Sequence, residues 1–600
     1  MSKEKIVRIG GASGFWGDSA CAAPQLVQNN EVDYVVFDYL AELTMSILSA
    51  ARLKNPELGY ATDFVTSAMK SILPQVASGQ VKVVSNAGGM NPKACAKALQ
   101  NLATSMGYEL KIVVVLGDDV VGQSQEMAVQ AVQELQSAAP LPNKLLSANA
   151  YLGALPISQA LDQGAQVVIT GRCVDSAVTL GVLIHEFQWQ TQDYDLLAQG
   201  SLAGHLIECG AQATGGLFTD WEKVPDWANI AYPIIECVAD GSFMLTKPKD
   251  TGGLVNVAVL SEQLVYEIGD PTHYLLPDVV ADFSQVRMLQ AGPNRVRVQG
   301  ATGSAPTDFY KVCATYLDGY KCSGQLTIVG INAYEKAKRT GQAILERTQK
   351  MLAQNNWPHY TATHLEVLGA ESAYGDLVNP AVLSSRELVL RLTVTHSKKE
   401  ALEIFAKEIA PAGTSFAPGT TGAGGGRPSV SPRIKQFAFL WPKHQVVVSL
   451  WDCATDQTRS VLAYQAPPAQ AVAKKASFGL AVQTEIPVGE HFIEGPLIQW
   501  AYARSGDKGN TSNIGVIARK PEYLPYIKSA LTVEAVKNYL SFAVRGPVHR
   551  YDLPGIDALN FLCEQALDGG GMASLRNDSL GKGMAQILLS MPIKMPKGIV

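Results

Sequence analysis

Short apolar runs recur through the first 170 positions of the chain, and each is followed closely by Gly, Asn or Asp. Their length suits strands, and their apolar content suits burial on both faces of a sheet. The runs are Ile6–Ile9, Tyr34–Phe37, Val81–Val84, Ile112–Leu116 and Val167–Ile169. Helical patterns separate them at Ala41–Leu53, Phe64–Leu73, Pro92–Met106, Gln125–Leu135 and Ile157–Leu161. This alternation predicts an α/β fold with a doubly wound, mostly parallel sheet.

The pattern changes after Trp221. Shorter β-like runs follow at Leu254–Leu260, Arg295–Val298, Leu326–Ile331 and Leu388–Val394, with long helical patterns at Tyr334–Gln354 and Lys398–Ile409. Residues 466–489 are rich in Pro, Ala and Lys and have the composition of a linker. We therefore expect an α/β ligand-binding domain at 1–235, an α+β unit at 236–465, the linker at 466–489, and a small α+β domain at 490–600.

Charge and hydropathy exclude several classes of partner. The 49 basic and 54 acidic residues give a net charge of −5, so no basic surface for nucleic acid or anionic membranes is expected. No apolar run is long enough to cross a bilayer, and the amino terminus leads into a strand without a secretory core. We expect a cytoplasmic protein that binds a small molecule and assembles as a homo-oligomer.

The nine cysteines include no Cys-x-x-Cys pair, and this predicts reduced, mostly buried thiols. Cys173 and Cys209 lie in polar stretches that contain glycine, so a role as nucleophile or ligand stays open for them.

Polar, glycine-rich segments follow each of the five predicted strands. Because the carboxyl ends of parallel strands share one edge of the sheet, these segments predict a single ligand cleft. They are 10–18, Asp38, 86–91, 117–119 and 171–176.

The first of these segments contains Gly11, Gly14 and Gly17, a turn whose backbone N–H groups are able to face an anion. Its spacing is neither that of the dinucleotide-binding Gly-x-Gly-x-x-Gly motif nor that of a P-loop. The sequence therefore indicates no nicotinamide or ATP site here.

Three further segments carry candidate chemistry. Arg172 is suited to clamp a carboxylate or phosphate while Asp175 orients it, although an internal ion pair is the alternative. Asp118 and Asp119 offer oxygen ligands for a divalent cation, or else cap a turn. His205 and Glu208 would share one helix face, as an acid–base pair, as ligands, or as a structural histidine with its partner.

The remaining candidates are predicted to contact substrate. The glycine-rich stretch near Arg427 is either a flap over the site or a plain loop. The polar stretch after Ala503 joins the site, holds the small domain in place, or forms a subunit contact. The predicted substrate contacts are Gly11, Ser13, Gly14, Asp18, Asn86, Gly88, Gly89, Asn91, Ser176, Gly425, Arg427, Arg504, Asp507, Lys508 and Asn510.

Several of these motifs resemble the acyclic terpene utilisation protein AtuA family. The resemblance covers nearly the whole chain and includes the segments 11–19, 38–44, 85–92, 170–176 and 204–209. The segment 503–510 resembles the small carboxyl-terminal domain of that family.

The resemblance implies bacterial breakdown of citronellol and geraniol through branched acyl-CoA esters. A reaction proposed for the family cleaves 3-hydroxy-3-isohexenylglutaryl-CoA to acetate and a 3-oxoacyl-CoA, with CoA as part of the substrate. Alternatives are a hydratase or dehydratase of a related acyl-CoA or organic acid, and a non-catalytic acyl-CoA-binding assembly subunit.

The family provides no established catalytic residues. For a lyase, we expect Asp118 or His205 as the base, Arg172 with Asp175 as the anion clamp, and the glycine loop at 11–17 on phosphate. If a divalent metal takes part, its expected ligands are Asp18, Asp118 and Asp119.

Overall fold

The computed structural model describes residues 5–422, 425–461 and 491–599. Its strands are β1 (Val7–Gly11), β2 (Tyr34–Phe37), β3 (Lys82–Ser85), β4 (Ile112–Leu116), β5 (Ser147–Ala150), β6 (Val167–Thr170), β7 (Ile234–Cys237), β8 (Phe243–Thr246), β9 (Tyr274–Leu275), β10 (Val280–Asp282), β11 (Arg287–Gly292), β12 (Arg295–Gln299), β13 (Thr302–Ser304), β14 (Phe309–Val329), β15 (Ala362–Leu368), β16 (Glu387–His396), β17 (Thr420–Gly422), β18 (Val430–Pro442), β19 (Ser449–Asp452), β20 (Thr458–Ser460), β21 (Phe492–Pro496), β22 (Ala501–Lys508), β23 (Thr511–Ala518), β24 (Val548–Leu553), β25 (Ala558–Cys563) and β26 (Pro592–Pro596).

The α-helices are α1 (Ala22–Val27), α2 (Glu42–Lys54), α3 (Lys70–Ala77), α4 (Pro92–Ser105), α5 (Ser124–Val129), α6 (Leu155–Asp162), α7 (Ala177–Phe187), α8 (Tyr194–Ile207), α9 (Val257–Leu264), α10 (Ala333–Gln354), α11 (Lys399–Glu408), α12 (Ala412–Ser415), α13 (Leu524–Ala530), α14 (Val533–Tyr539) and α15 (Met584–Leu588). A π-helical segment, Phe64–Met69, runs directly into α3. Within the described ranges, no helix is both long enough and apolar enough to cross a membrane.

An 11-stranded sheet forms the centre of the molecule, in the order β11-β12-β8-β7-β1-β2-β3-β6-β4-β19-β20. Five neighbouring strands of this sheet, β1, β2, β3, β6 and β4, pair in parallel, as the buried apolar runs predict. Antiparallel strands extend this parallel core on both sides, through β7 and β19. The predicted α/β class is confirmed, and the sheet as a whole is mixed.

Alternate residues of the parallel strands face two separate hydrophobic cores. In β4, Val113 and Val115 face the core formed with α6, α7 and α8, whereas Ile112 and Val114 face the core formed with α1 to α4. Because both faces are covered, the strand residues are almost completely inaccessible to solvent. This burial leaves the strand ends as the places where the sheet presents polar groups.

A second sheet is built on the long strand β14, which pairs with β16, β17, β18 and β5. Helices α10 and α11 cover it around a separate core. The division placed between residues 235 and 236 falls inside β7, and β8, β11, β12, β19 and β20 also join the large sheet. The large sheet therefore runs across the predicted boundary.

The strand predicted at Leu254–Leu260 is wrong, because Val257–Leu264 is helix α9. The Asn256 side chain accepts a hydrogen bond from the Val259 N–H and starts the helix. Six of the eight residues of α9 are buried, and its polar residues Ser261, Glu262 and Gln263 are consecutive, so the sequence shows no helical period. The helical pattern at Gln125–Leu135 is likewise shortened, to α5 at Ser124–Val129.

The third part of the chain is an antiparallel sheet, β22-β23-β25-β24, with α13, α14 and α15 around its own core. A two-stranded sheet of β21 and β26 accompanies it. The linker predicted at 466–489 lies outside the described residues.

Candidate functional site

The loop after β1 is held in place by packing and by its own acidic residue. A Cβ atom on Gly11 would lie 2.6 Å from the Ile207 carbonyl oxygen, and one on Gly14 would lie 2.7 Å from the Cys209 carbonyl carbon. The glycines thus permit close contact with the end of α8. The Gly14 N–H donates to Asp18 Oδ2 (2.9 Å), and the Tyr232 hydroxyl donates to Asp18 Oδ1 (2.7 Å). The Asp18 carboxylate therefore occupies the anion position within this loop.

Asp38 lies where three strand ends meet. The Asn86 Nδ2 atom donates to Asp38 Oδ1 at 2.5 Å, and Asn86 Oδ1 accepts the Tyr39 N–H at 2.7 Å. The Ser13 hydroxyl donates to the Asp38 carbonyl oxygen at 3.1 Å. The structure therefore brings the segments that follow β1, β2 and β3 together at one edge of the sheet.

Asp38, Asp175 and Glu208 form a group of carboxylates whose oxygens lie within 4.8 Å of one another. Asp38 is 6% exposed and Glu208 is 8% exposed. Burial raises the pKa of Asp38 well above its ordinary value, and the charge of Asp175 adds to this effect. Burial also raises the pKa of Glu208. This part of the site is therefore able to hold protons that ordinary carboxyl groups would have lost.

Arg172 provides the compensating positive charge. Its guanidinium is buried (2% exposed) and lies 4.0 Å from the Tyr151 ring centre. One terminal nitrogen donates to Asp175 Oδ1 at 2.6 Å and to the Cys173 carbonyl oxygen at 2.7 Å. The Nε atom is buried and has no hydrogen-bond partner within the protein. Arg172 is therefore fixed by Asp175 and Tyr151 while part of its donor capacity stays unused.

Glu42, at the start of α2, connects Tyr151 to the second sheet. Glu42 Oε1 accepts the Tyr151 hydroxyl at 2.7 Å and Lys311 Nζ at 2.9 Å. Burial opposes its ionisation, but Lys311 and Arg172 hold the pKa of Glu42 well below its ordinary value. Lys311 comes from β14, so this strand contributes a cation to the edge of the large sheet.

Lys508, the last residue of β22, comes from the small domain. Burial disfavours its charged form, but Tyr274 and acidic neighbours including Glu42 hold the pKa of Lys508 well above its ordinary value. We call this set the charged cluster; its members are Asp38, Glu42, Arg172, Asp175, Glu208, Lys311 and Lys508. All three parts of the chain contribute to it.

His205 positions Glu208. Its Nδ1 atom lies 3.0 Å from Glu208 Oε1, and its Nε2 atom lies 3.0 Å from the Leu264 carbonyl oxygen. The histidine is 2% exposed, so both ring nitrogens are engaged inside the protein. Although burial opposes protonation, Glu208 raises the pKa of His205. The histidine therefore contacts Glu208 directly and fixes the position of its carboxyl group.

Asp118 lies beside the charged cluster. Its Oδ2 atom accepts hydrogen bonds from Asn149 Nδ2 and from the Arg172 backbone N–H, both at 2.8 Å. Burial raises the pKa of Asp118 to about 7. Asp118 and Asp119 line a cavity of about 300 Å³ at the same sheet edge.

The metal ligands expected from the sequence do not come together as a set. Asp38, Asp175 and Glu208 are the one acidic group of that kind found among the described residues, and it includes none of Asp18, Asp118 and Asp119. Arg172 is bonded to Asp175 within this group, and its positive charge disfavours a divalent cation there. The local chemistry therefore suits proton transfer and anion binding.

Two predicted contact residues of the small domain form hydrogen bonds within the protein, and two others lie at the surface. Arg504 is buried and bonds Glu262, Gln263 and the Gly216 carbonyl oxygen, so it attaches the small domain to the rest of the chain. Asn510 accepts the Gly569 N–H within the small domain. Gly425 and Arg427 are exposed.

Four predicted contact residues near the sheet edge, Gly88, Gly89, Asn91 and Ser176, pack closely or form hydrogen bonds within the protein. A Cβ atom on Gly88 would lie 2.5 Å from the Thr170 carbonyl oxygen, and Gly89 has a positive φ of 51°. The Asn91 side-chain amide donates to the Pro56 and Leu58 carbonyl oxygens. Ser176 packs against Gly204 of α8.

Three more candidates are titratable groups. Burial raises the pKa of Asp507 to about 7, with Glu267 adding to the effect. Burial also raises the pKa of Cys173 to about 12 and that of Cys209 well above its ordinary value, which disfavours the nucleophilic thiolate form of both.

The sequence interpretation missed Glu42, Tyr151 and Lys311 as site residues. Glu42 lies four residues after Asp38 at the start of a helix, and this short separation in sequence already indicates that it lies near the same sheet edge. Lys311 has no local signal, because it becomes part of the site only when β14 pairs with β5.

Comparison with known proteins assigns the chain to a family. The family model for the acyclic terpene utilisation family protein AtuA matches residues 7–451, and the model for the AtuA ferredoxin-like domain matches residues 495–594. No curated protein and no solved structure matches the chain. The family is implicated in acyclic terpene utilisation, and this supports a catabolic role. Since the two matches cover the large α/β part and the small carboxyl-terminal domain in turn, the chain belongs to the acyclic terpene utilisation AtuA family.

Proposed function

We propose that this protein is a carbon–carbon lyase of acyclic terpenoid catabolism that converts 3-hydroxy-3-isohexenylglutaryl-CoA to acetate and a 3-oxoacyl-CoA. The observation that carries the proposal is the charged cluster, in which Asp38, Glu208 and Arg172 are each at least nine-tenths buried. Family membership supplies the catabolic setting.

The burial of so many charged groups favours a catalytic role for them over a role in stabilising the fold. Removing ionic groups from water costs several kcal/mol per ion, and well-packed apolar side chains of similar volume often stabilise a fold as well or better. Carboxyl groups with strongly raised pKa values, close to one another and to an arginine, are typical of sites that transfer protons.

The proposed reaction needs a base, an anion site and an acid. A carboxylate takes the proton of the tertiary hydroxyl, the carbon–oxygen bond becomes a carbonyl, and the adjacent carbon–carbon bond breaks. The electron pair of that bond passes to the departing acetate as an enolate. A protonated carboxyl then delivers a proton to the enolate carbon. The products are acetate and the 3-oxoacyl-CoA, and no oxidant or further reactant is consumed.

The charged cluster contains a group for each role. Asp38 and Glu208 are the acid and base, because their raised pKa values allow one to stay protonated while the other is ionised. Arg172 and Lys508 bind the carboxylate that leaves as acetate and stabilise the negative charge that develops on it. His205 holds Glu208 in position.

A dehydratase that removes the same hydroxyl as water is the second candidate. The contact between His205 and Glu208, whose pKa values are both raised, favours it, because a leaving hydroxyl requires an acid at short range.

Incubation of the purified protein with the hydroxyacyl-CoA, followed by mass spectrometry, tests the proposal. We expect acetate and the 3-oxoacyl-CoA, and in D₂O we expect one deuterium in the acetate methyl group. An acyl-CoA lighter by one water would establish the dehydratase instead. Tight binding without turnover would establish a non-catalytic acyl-CoA-binding subunit.

The Asp38→Asn variant assigns the reaction to the charged cluster. We expect product formation to fall by at least about a hundredfold, because the amide neither accepts nor releases the proton. Asp33→Asn is the matched control, since Asp33 is exposed at the opposite end of β2. Full activity of Asp38→Asn would contradict the assignment.

A further inference from the structure

A loop of the small domain, residues 569–577 between β25 and α15, reaches the other two parts of the chain. We call it the bridging loop. It begins with three consecutive glycines whose φ angles are 93°, 65° and 44°, a backbone path that favours glycine. A Cβ atom on Gly571 would lie 3.7 Å from Leu43 Cδ1, so the loop comes close to the start of α2, where Leu43 follows Glu42.

The bridging loop supports the turn that follows Lys508. The Gly569 N–H donates to Asn510 Oδ1 at 2.7 Å. A Cβ atom on Gly570 would lie only 2.1 Å from the Gly509 carbonyl oxygen, so the two backbone segments are in direct contact. Because Gly509 and Asn510 directly follow Lys508, the position of this lysine depends on where the loop lies.

Three cationic side chains of the second sheet hold the bridging loop. They come from β14, β16 and β18 and donate to four consecutive backbone carbonyl oxygens, those of residues 572–575. The bonds are Lys321 Nζ to the carbonyl oxygens of Met572 (2.7 Å) and Ser574 (2.9 Å), Arg433 Nε to that of Ala573 (3.1 Å), and a terminal nitrogen of Arg391 to that of Leu575 (2.7 Å). Hydrogen bonds from charged donors are stronger than neutral ones, so the loop is firmly attached to this sheet.

Lys321 differs from the two arginines in its surroundings. Arg391 pairs with Glu366, and Arg433 pairs with Asp318. No ion pair joins Lys321 to a carboxylate in the described part of the chain, and its charged neighbours are the two arginines. Burial and these neighbours lower the pKa of Lys321 to about 8. An ammonium group kept in such a place is costly, and this favours a role in holding the loop.

We propose that Lys321 is a positioning residue of the charged cluster, which holds the bridging loop on the second sheet and through that loop fixes Lys508. The inference rests on the proposed function in one respect, that Lys508 binds the carboxylate of the substrate. The placement of Lys508 itself does not depend on which reaction occurs. Strand β14 would then serve the site twice, with Lys311 as a member of the cluster and Lys321 as the support of another member.

Competitive labelling of lysine amines with acetic anhydride, read by mass spectrometry, tests the placement on the full-length protein without substrate. In the wild type, Tyr274 and acidic neighbours hold the pKa of Lys508 well above its ordinary value, so its amine should react slowly. In Lys321→Met we expect the labelling of Lys508 at pH 9 to rise at least about tenfold, as a fall of one unit in its pKa implies.

Arg550→Met is the matched control. Arg550 also donates to two backbone carbonyl oxygens, but these belong to Lys528 and Leu531, at α13 within the small domain. Lys508 should therefore react in this variant as it does in the wild type. Unchanged labelling of Lys508 in folded Lys321→Met, or an equal rise in both variants, would overturn the proposal. Should Lys321→Met fail to fold, Arg433→Gln removes the neighbouring bond to Ala573 and must raise the labelling, and an unchanged rate there would overturn the proposal.

A double-mutant cycle shows whether Lys321 acts through Lys508. Lys321→Met should lower the kcat of product formation by about tenfold, as coupling within one hydrogen-bond network allows, but should have little further effect in the Lys508→Gln background. Equal losses in both backgrounds would contradict the inference. If no product forms in any variant while the labelling of Lys508 still rises in Lys321→Met, the proposed function fails and the positioning role of Lys321 stands.

Discussion

At the scale of single residues, the local environment decides which carboxyl groups keep a proton. Asp118 and Asp119 are neighbours in sequence, yet Asp118 is 3% exposed, whereas the side chain of Asp119 is 43% exposed and lies 3.9 Å from Arg52. Burial raises the pKa of Asp118 to about 7, even though two donors bond its Oδ2 atom. Proton affinity at this edge of the sheet is thus a property of depth and packing rather than of residue type.

Asp118→Asn should change how stability depends on pH. In the folded protein Asp118 keeps its proton up to about pH 7, whereas in the unfolded chain it loses the proton near its ordinary pKa of 3.8. The folded state binds more protons in this window, so wild-type stability falls as pH rises from about 4 to about 7. Asparagine does not titrate. The free energy of unfolding of the variant, relative to that of the wild type, should therefore increase by about 2–3 kcal/mol as the pH rises from 5 to 7.

Urea denaturation at pH 5, 6, 7 and 8 measures this difference, with Asp119→Asn as the exposed control. Stability curves for Asp118→Asn and wild type that run parallel across the window would contradict the expectation.

At the scale of elements, the site depends on close contact between the loop after β1 and the end of α8. Gly11 and Gly14 allow this contact because any side chain there would overlap the backbone at Ile207 or Cys209. Glu208 lies between those two residues in sequence, so its position depends on that packing. The glycines that resemble a phosphate loop in the sequence therefore serve to position a carboxylate.

Gly14→Ala should separate these two elements. The new Cβ atom would lie 2.7 Å from the Cys209 backbone, which has little room to move. We expect a loss of about 1–3 kcal/mol in the free energy of unfolding, together with lower product formation as Glu208 shifts. Gly122→Ala is the control, because a Cβ atom there meets nothing within 4 Å. A Gly14→Ala protein with wild-type stability and activity would show that the contact is not needed.

At the scale of the whole molecule, the small domain completes the site. It places Lys508 beside Glu42 and Asp175, and it is held by a network around Arg504 and Glu262, which are 4% and 0% exposed. Asn513 adds hydrogen bonds with the Val265 carbonyl oxygen and the Glu267 N–H. A buried network of this kind fixes one orientation of the domain, so the position of the lysine is well defined.

Arg504→Gln should disrupt this attachment. The substitution leaves the Glu262 carboxylate buried without its cation, at a cost of about 3–5 kcal/mol. Arg519→Gln breaks a second ion pair between the same two parts, with Asp220, and should cost less, because the Arg519 and Asp220 side chains keep 19% and 14% of their surface exposed to solvent. Thermal unfolding of both variants measures the contrast, and equal Tm values for the two would contradict it. Product formation should fall with Arg504→Gln, as Lys508 is displaced.

Long, strongly patterned elements were predictable from the sequence. Pro92–Met106 and Tyr334–Gln354 were predicted as helices and match α4 and α10 to within one residue at each end. The parallel strands were predictable because a run such as Ile112–Leu116 is apolar at every position. Elements without a clear period were not predictable, as α9 shows, because its polar residues are consecutive and buried and do not recur at helical spacing.

Part of the site was predictable for the same local reason. Arg172, Asp175 and Asp38 directly follow buried strands, and the carboxyl ends of parallel strands must lie at one edge. The partners that give these residues their chemistry were not predictable, since Lys311 and Lys508 are separated from Arg172 by well over a hundred positions.

The sequence by itself determined the α/β class, the parallel core, the family, and the strand ends that carry polar groups, because these follow from local periodicity and local motifs. Only the tertiary structure decided which of those polar groups are buried, which carboxyl groups have raised pKa values, and which cations neutralise them. The physical reason is that desolvation and charge interactions depend on distance in space. In this chain those distances are set by contacts among the large sheet, the second sheet and the small domain.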